Sequence, residues 1–397
     1  MKIILAYFED MVNIPDGLEK VICDFANEFT QRGHQMTIVT FDRRQGRPAH
    51  PLLDSVPVIN LQKKERLHLR LTEKVMREIY RLFGRAAVRT WKAGYKRKYG
   101  VMDFTRVVEE LRPDAIVSFE TMTSAEIYRQ NIRVPLITSL QNEPHICCEH
   151  LPKDELQAME QSCAVHVLMN SYIEALKAFV ENPKIVHIPN AIPQCSRLAE
   201  LSGQKDVYRV VEAARLNKKQ KRQEILVEAF ARLANRYPKW ILELWGGDNS
   251  GYKAELQGMI QRLHMEDRIF LRGVTHHVDE VYARSDVFAF PSKFEGFPLS
   301  LSEAMSAGLP AVGFRSCASV NELIRHEKNG LLAEDGVDAF AAALEELMAD
   351  QEKRIRMGLE AHRTMEAYSP EAVWTQWEHL LEKVIWEYGE SKRAAQR

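Results

Sequence analysis

The stretch that decides the fold reads FPSKFEGFPLSLSEAM and runs from Phe290 to Met305. An apolar strand pattern ends near Phe290. Pro298 suits the first helical position, because its missing N–H would be unpaired there in any residue. The following helix is predicted to stop at Gly308-Leu309-Pro310. A buried strand leading at once into a helix is the repeating unit of an α/β sheet.

The same alternation of apolar runs and helical patterns continues outward from this stretch in both directions. It predicts βαβ units on parallel sheets with both faces covered. The fold class is therefore α/β, with two doubly wound, Rossmann-like domains and an interdomain cleft. The predicted strands are 3–8, 36–41, 56–61, 115–119, 136–140, 165–169, 185–188, 209–213, 241–244, 269–271, 287–290, 311–314 and 331–333.

A chain of 397 residues and 45.8 kDa is too long for one compact core. The strand and helix pattern breaks between 192 and 206, where Pro193, Ser196 and Gly203 interrupt it. Ligands of doubly wound sheets bind beyond the carboxyl ends of the strands, so the cleft is the expected site. We predict an N-terminal domain over 1–192, a C-terminal domain over 193–369, and an amphipathic helix over 370–397 that packs back on the N-terminal domain.

Composition and charge exclude several classes of protein. The 54 Lys and Arg residues balance 55 Asp and Glu residues, so no global positive field favours nucleic acid as a partner. The first apolar run, 3–8, is too short for a signal peptide, and no run approaches the ~20 residues of a membrane span. We therefore expect a cytoplasmic protein. The six cysteines form no C-x-x-C pair and no H-E-x-x-H occurs, so a metal site is not predicted.

Two loops carry candidate chemistry. Backbone amides from Gly296 to Ser300 lie at a helix N-terminus, a suitable site for phosphate or sugar hydroxyls. Glu295 and Glu303 lie in the loop and the early helix; each alone is more often a solvated carboxylate favoured by the helix dipole. Past the strand 209–213, Arg215 and Lys221 suit a pyrophosphate, although five cations between 215 and 222 are also typical of a solvated basic loop.

These residues resemble glycosyltransferase family 4, whose members are retaining enzymes of GT-B fold. Glu295 and Glu303 match the family's E-x7-E signature within the run P-S-x-x-E-G-F-P-L-x-x-x-E-A-M-x-x-G-x-P. Arg215 and Lys221 match its phosphate-binding pair. Weaker matches are Gly17, Gly33-His34, Ile188-Pro189-Asn190, Gly273 and Asn329-Gly330.

The resemblance implies transfer of a hexose-type sugar from a nucleotide-sugar donor, UDP by family frequency, to a glycan or lipid-linked acceptor in polysaccharide biosynthesis. The C-terminal domain would bind the donor and the N-terminal domain the acceptor. Catalysis would rest on Glu295, which holds the transferred sugar, and on Arg215 and Lys221, which neutralise the diphosphate without metal or cofactor. The remaining donor contacts would be Glu303 on the ribose, Gly17 on the phosphates, and the backbone of Gly296, Phe297, Pro298 and Leu299.

The sequence departs from the family at two places, a phosphate-contacting loop and the acceptor side. Asp16-Gly17 stands where many relatives carry Gly-Gly, and relatives often place a catalytic histidine after the strand equivalent to 136–140. Here Asn142, Glu143 and His145 are the candidates, with an ordinary loop histidine the more frequent interpretation of His145. Two other functions stay open: a sugar-nucleotide epimerase of similar fold, and a non-catalytic nucleotide-sugar-binding subunit.

Residues 62–100 form a basic segment, with thirteen Lys and Arg against three acids. Its cations recur every three or four residues and are predicted to line one helix face. Such a helix can bind an anionic membrane, which would place the protein peripherally on the inner face. A solvated face and a clamp for an anionic acceptor are the alternatives. No nucleic-acid-binding motif accompanies the segment.

Overall fold

The computed structural model describes residues 1–14, 16–65, 68–182, 184–195, 197–248 and 251–395. The chain divides into two compact units. Unit 1 is Met1–Pro189 with Trp374–Arg397, and unit 2 is Asn190–Val373. The divisions thus follow residues 189 and 373, where the sequence pattern placed them after 192 and 369. Arg66 of the basic segment and Ser196 of the predicted break lie outside the described residues.

Unit 1 contains a seven-stranded, all-parallel sheet in the order β3-β2-β1-β4-β5-β6-β7. Its strands are β1 (Lys2–Tyr7), β2 (Gln35–Thr40), β3 (Val58–Asn60), β4 (Ala115–Ser118), β5 (Leu136–Ser139), β6 (Ala164–Val167) and β7 (Ile185–His187). Its helices are α1 (Gly17–Gln31), α2 (Leu71–Leu82), α3 (Arg85–Tyr99), α4 (Phe104–Leu111), α5 (Thr121–Arg129), α6 (Pro144–Cys148), α7 (Lys153–Glu160) and α8 (Ser171–Lys177).

Unit 2 contains a six-stranded parallel sheet in the order β10-β9-β8-β11-β12-β13. Its strands are β8 (Tyr208–Ala213), β9 (Trp240–Trp245), β10 (Ile269–Gly273), β11 (Val287–Phe290), β12 (Ala311–Phe314) and β13 (Gly330–Ala333). The helices that follow are α9 (Gln223–Ala234), α10 (Tyr252–Arg262), α11 (Val278–Ala283), α12 (Leu299–Ser306), α13 (Ala318–Leu323), α14 (Val337–Ala349), α15 (Gln351–Met365) and α16 (Pro370–Ala395), the last of which continues into unit 1.

All thirteen predicted strands are present, and the α/β class is confirmed. Each strand is an apolar run because helices cover both faces of a parallel sheet. In unit 2 the strands β11, β12 and β13 are buried along their whole length, although β13 lies at the edge of the sheet. Phe230 on α9, Phe340 on α14 and Leu256 on α10 complete the core on the helical side.

The prediction that the basic segment forms a single helix is wrong. It forms two helices, because Phe83 ends α2 and Gly84 adopts a φ of +92° before α3 begins. A φ in this region suits glycine, which has no Cβ to clash with the backbone. The cations of residues 62–100 therefore do not share one continuous helix face.

The C-terminal part of the chain is more helical than predicted. No helix was predicted for 351–365, where the structure forms α15, and α16 covers Pro370–Ala395 of the predicted terminal helix. Within unit 1, Trp374 and Trp377 of α16 pack edge-to-face on Phe25 of α1, with ring centroids 5.3 and 5.0 Å apart. Glu378 accepts a hydrogen bond from His34 Nε2 at 2.8 Å.

Among the described residues, no helix combines the length and the apolar character that crossing a membrane requires.

Candidate functional site

The loops that carry the predicted site leave the unit 2 sheet where its strand order reverses. β8 pairs with β11 through Val210 opposite Val287 and Val211 opposite Phe288. From this pair the strand order runs outward to β10 on one side and β13 on the other. Loops after two such strands diverge and leave a crevice, which is the usual ligand site of an open α/β sheet.

An ion pair joins the two loops across this point. Lys221 Nζ, after β8, lies 2.6 Å from Glu295 Oε1, after β11. The side chains are only 12% and 8% exposed, respectively. Gln220 Nε2 donates to Glu295 Oε2 at 3.2 Å, so both carboxylate oxygens have a donor. Lys221 Nζ also lies 4.8 Å from the centroid of the Phe290 ring. The structure thus brings Lys221 and Glu295, 74 residues apart in sequence, into one partly buried site.

Backbone contacts fix the two loops against each other. The amide of Lys293 donates to the Gln220 carbonyl at 2.8 Å, and Arg222 Nε donates to the Pro291 carbonyl at 2.9 Å. Arg222 adopts a left-handed φ of +52° immediately before α9. These contacts fix the loop that carries Lys221 against the loop that carries Glu295.

The helix after Glu295 begins one residue later than predicted. Pro298 is the N-cap residue of α12, and Leu299 is its first residue. The prediction that Pro298 is the first helical residue is therefore wrong. Gly296, Phe297 and Pro298 are buried, and within the described part of the chain no hydrogen-bond acceptor meets the amides of Gly296 and Phe297. These amides precede the first turn of a helix, where N–H groups lack intrahelical partners. They are available to an anion or to sugar hydroxyls.

Glu303 lies in the second turn of α12 and is partly exposed. Tyr282 lies next to this helix, and its hydroxyl donates to the Ser300 carbonyl at 3.3 Å. Burial, reinforced by the charge of Glu303, raises the pKa of Tyr282 well above its ordinary value. Glu303 thus lies on the same helix whose N-terminus follows Glu295.

Arg215 is exposed at the end of β8, and its position depends on a close backbone contact from the neighbouring strand. Gly246 has a φ of +151°, and a Cβ at this position would lie 2.0 Å from the Ala214 carbonyl oxygen. The Leu216 amide donates to the Gly247 carbonyl at 2.8 Å. A Gly-Gly pair permits close backbone packing or the close approach of a ligand. At Gly246-Gly247 the structure shows close packing on the backbone of Ala214 and Leu216.

Sequence reasoning missed Glu212, a carboxylate beneath the site. It is 1% exposed, and Gln223 Nε2 donates to its Oε1 at 3.3 Å. Burial raises its pKa well above the ordinary value; the charge of Lys221 opposes this shift and that of Glu295 adds to it. An acid within the apolar run Val210 to Ala214 was the available signal, since charged residues are rarely fully buried without a partner.

The other predicted residues belong to unit 1. Gly17 is the exposed first residue of α1, directly after the loop that follows β1. Asn142 lines a cavity of about 620 Å³. Glu143 precedes α6, and burial raises its pKa. His145 is exposed and packs edge-to-face on Phe179, with ring centroids 5.5 Å apart. Neither Glu143 nor His145 lines that cavity.

Comparison with known proteins bears most directly on unit 2. Residues 199–364 match the family model described as "Glycosyl transferases group 1". An exopolysaccharide phosphotransferase of Streptomyces coelicolor is 32% identical over 218 residues, which is 54% of this chain and 22% of that protein. The N-acetyl-alpha-D-glucosaminyl L-malate synthase of Bacillus anthracis is 32% identical over 170 residues, 42% of this chain and 44% of the relative. The chain thus spans less than half the length of these relatives.

Solved structures share the architecture of the whole chain. Sucrose-phosphate synthase of Thermosynechococcus elongatus has a TM-score of 0.77 at 17% identity, covering 96% of this chain and 98% of its own. Anabaena HepE in complex with UDP and glucose has a TM-score of 0.72 at 18% identity, covering 96% of this chain and all of its own. The fold is therefore the predicted GT-B fold, with two Rossmann-like parallel-sheet domains.

Proposed function

We propose that the chain is a retaining family 4 glycosyltransferase that moves a hexose-type sugar from a UDP-sugar to a glycan or lipid-linked acceptor in polysaccharide biosynthesis. The observation that carries the proposal is the Lys221–Glu295 pair beside the amides of Gly296 and Phe297, at the reversal point of the unit 2 sheet. The group 1 match over 199–364 supports it, as do the exopolysaccharide relative and the UDP and glucose bound in the Anabaena neighbour.

The charges at this site suit cleavage of a bond between a sugar and a diphosphate. As that bond breaks, its electron pair leaves with the diphosphate and positive charge grows on the sugar ring. Lys221, Arg215 and the two free amides would stabilise the leaving group more strongly in the transition state than in the ground state. Glu295 would hold hydroxyls of the transferred sugar, and Glu303 those of the ribose.

Retention would follow from attack on the face that the diphosphate leaves. The acceptor hydroxyl would pass its proton to the departing phosphate oxygen as its own oxygen bonds to the sugar carbon. The alternative uses Glu295 as a covalent nucleophile. Both Glu295 oxygens already accept from Lys221 and Gln220, which favours a binding role for this carboxylate.

Fixed cations would make a bound metal unnecessary for transfer. Lys221 and Arg215 supply positive charge where other transferases use a divalent ion. Turnover measured with and without EDTA tests this point, and the expected result is no change. A requirement for added Mg²⁺ or Mn²⁺ would contradict it.

The decisive variant is Glu295→Gln, with Glu334→Gln as the matched control. Glu334 is an exposed carboxylate of the same unit that pairs with Arg315. We expect Glu295→Gln to bind UDP as the wild type does while turnover falls by about 10²-fold or more. Glu334→Gln should behave as the wild type. Full activity in Glu295→Gln would exclude the assigned site.

The same assay separates the alternative functions. A transferase releases UDP only when an acceptor is present, whereas an epimerase consumes the donor without one. A non-catalytic subunit binds UDP and turns over nothing. A thermal-shift screen with UDP, GDP, ADP and CMP identifies the base, because a ligand that binds the folded state raises its stability.

Peripheral membrane contact through residues 62–100 forms part of the proposal. α2 has no buried residue, and its apolar side chains face solvent: Leu71 is 78% exposed, Leu82 84% and Phe83 76%. Lys74 and Arg77 lie on the same helix. Exposed apolar side chains beside cations are complementary to an anionic bilayer surface, where each cation contributes about 1 kcal/mol at most.

A further inference from the structure

Unit 1 holds a cavity that is lined only by residues of this unit, several of them charged. Its volume is about 620 Å³, within the range of roughly 300–1,000 Å³ that is usual for small-molecule sites. Three segments enclose it: the end of α2 with α3, the start of α5, and the segment around α6. The lining residues are Arg81, Gly84, Arg85, Val88, Arg89, Lys92, Glu120, Met122, Asn142, Ile146, Cys147 and His150.

The charged residues that line this cavity are mostly cations. Four cations line it against one carboxylate, Glu120. Burial raises the pKa of Glu120, which weakens its negative charge further. Arg85, Arg89 and Lys92 occupy successive turns of α3, so their side chains project from one helix face.

The cations differ in how firmly they are held. Arg89 donates to Glu155 at 2.6 and 2.9 Å and to Glu120 at 3.0 Å, which fixes it in the wall. Lys92 lies 4.0 Å from Glu9, beyond a direct hydrogen bond. Arg85 has no ion-pair partner among the residues that the structure describes. Arg85 is thus available to an anion, whereas Lys92 is held loosely by Glu9.

We infer that this cavity binds a phosphate group carried by the sugar acceptor. The assignment of this phosphate to a sugar acceptor rests on the proposed function. Arg85 offers a planar fork that matches phosphate oxygens, and Lys92 adds a point charge one turn further along α3. Asn142 supplies neutral hydrogen-bonding groups for the attached sugar. A neutral glycan would leave Arg85 without an ionic partner.

Cys147 gives a reporter located inside the cavity. It is a free, partly buried thiol, and Cys195 of unit 2 is a free thiol outside the cavity. The experiment measures alkylation of each cysteine in the whole chain by peptide mass spectrometry, without nucleotide. The probes are a poly(glycerol phosphate) oligomer, a dextran oligomer of equal length, and vesicles of phosphatidylglycerol.

We expect the phosphate oligomer to slow alkylation of Cys147 severalfold and to leave Cys195 unchanged, while dextran protects neither. Arg85→Glu should weaken oligomer binding about tenfold or more, since a hydrogen bond to a charged group is lost. The matched control Lys98→Glu reverses an exposed cation of the same helix outside the cavity and should bind as the wild type does.

Each outcome either identifies the source of the phosphate or refutes the inference. Protection by the free oligomer indicates phosphate on a soluble or polymeric acceptor, and protection by vesicles alone indicates a lipid phosphate. An equal loss of oligomer binding in Arg85→Glu and Lys98→Glu would overturn the proposal that this cavity is the phosphate site. A failure of both phosphate probes to protect Cys147 would do the same. UDP binding by thermal shift is measured on the same samples, so failure of the donor site is recognised separately.

Discussion

Replacing Lys221 by methionine tests whether its pair with Glu295 serves the reaction or only the fold. Nζ and Oε1 are 2.6 Å apart, and neither side chain is more than 12% exposed. Removal of one partner from a buried pair typically costs about 3–5 kcal/mol, because the other charge stays buried without compensation. We expect the free energy of unfolding to fall by an amount near the lower figure, since both groups still reach some solvent.

The double variant Lys221→Met with Glu295→Gln separates the two roles. It removes both charges, so most of the lost stability should return. Turnover should stay about 10²- to 10³-fold below the wild type in both variants, because the positive charge beside the diphosphate is still missing. Urea unfolding measures the first quantity and acceptor-dependent UDP release the second.

Lys218→Met is the matched control, in the same loop. Lys218 pairs with Glu255, but both side chains are about half exposed, at 54% and 52%. Neither stability nor turnover should change measurably, since solvent screens such a pair. Recovery of turnover together with stability in the double variant would refute the catalytic role of Lys221.

Three further predictions concern other parts of the chain. Burial lowers the pKa of His166 from 6.5 to about 3. Because the unfolded state binds a proton between pH 7 and pH 5 that the folded state does not, the free energy of unfolding should fall by about 2 kcal/mol over this range. His166→Gln should flatten this slope in urea unfolding, and an unchanged slope would contradict the assignment. Leu82→Ser with Phe83→Ser should reduce flotation with phosphatidylglycerol vesicles; unchanged flotation would exclude α2 as the contact. Gly246→Ala should destabilise unit 2 and weaken UDP binding, because the new Cβ displaces Ala214; wild-type affinity would show that the Arg215 loop tolerates the shift.

The sheets were predictable because their information is local. An apolar run of three to six residues between helical patterns has few alternatives in a chain of this length, and every such run became a parallel strand. The residues of the Glu295 loop were predictable for a different reason. Their types and spacing carry the resemblance, independently of the precise start of α12.

What the sequence did not reveal depends on conformation and tertiary contact. The break between α2 and α3 arises from one left-handed glycine within a continuous helical pattern. α15 buries Arg354, Met357 and Ala361, a face with too few large apolar residues to stand out. Glu212 becomes significant only when Lys221 and Glu295, from distant loops, are placed above it. The cavity in unit 1 likewise combines side chains from three separate segments.

The path of the chain through its two units has a consequence for synthesis on the ribosome. Unit 1 starts at Met1 but includes Trp374 and Trp377, whose indoles cover Phe25. The unit begun first is therefore completed last, after all of 190–373 has been made. During translation α1 keeps an aromatic surface uncovered until α16 emerges, and exposed apolar surface of this kind favours contacts with other molecules.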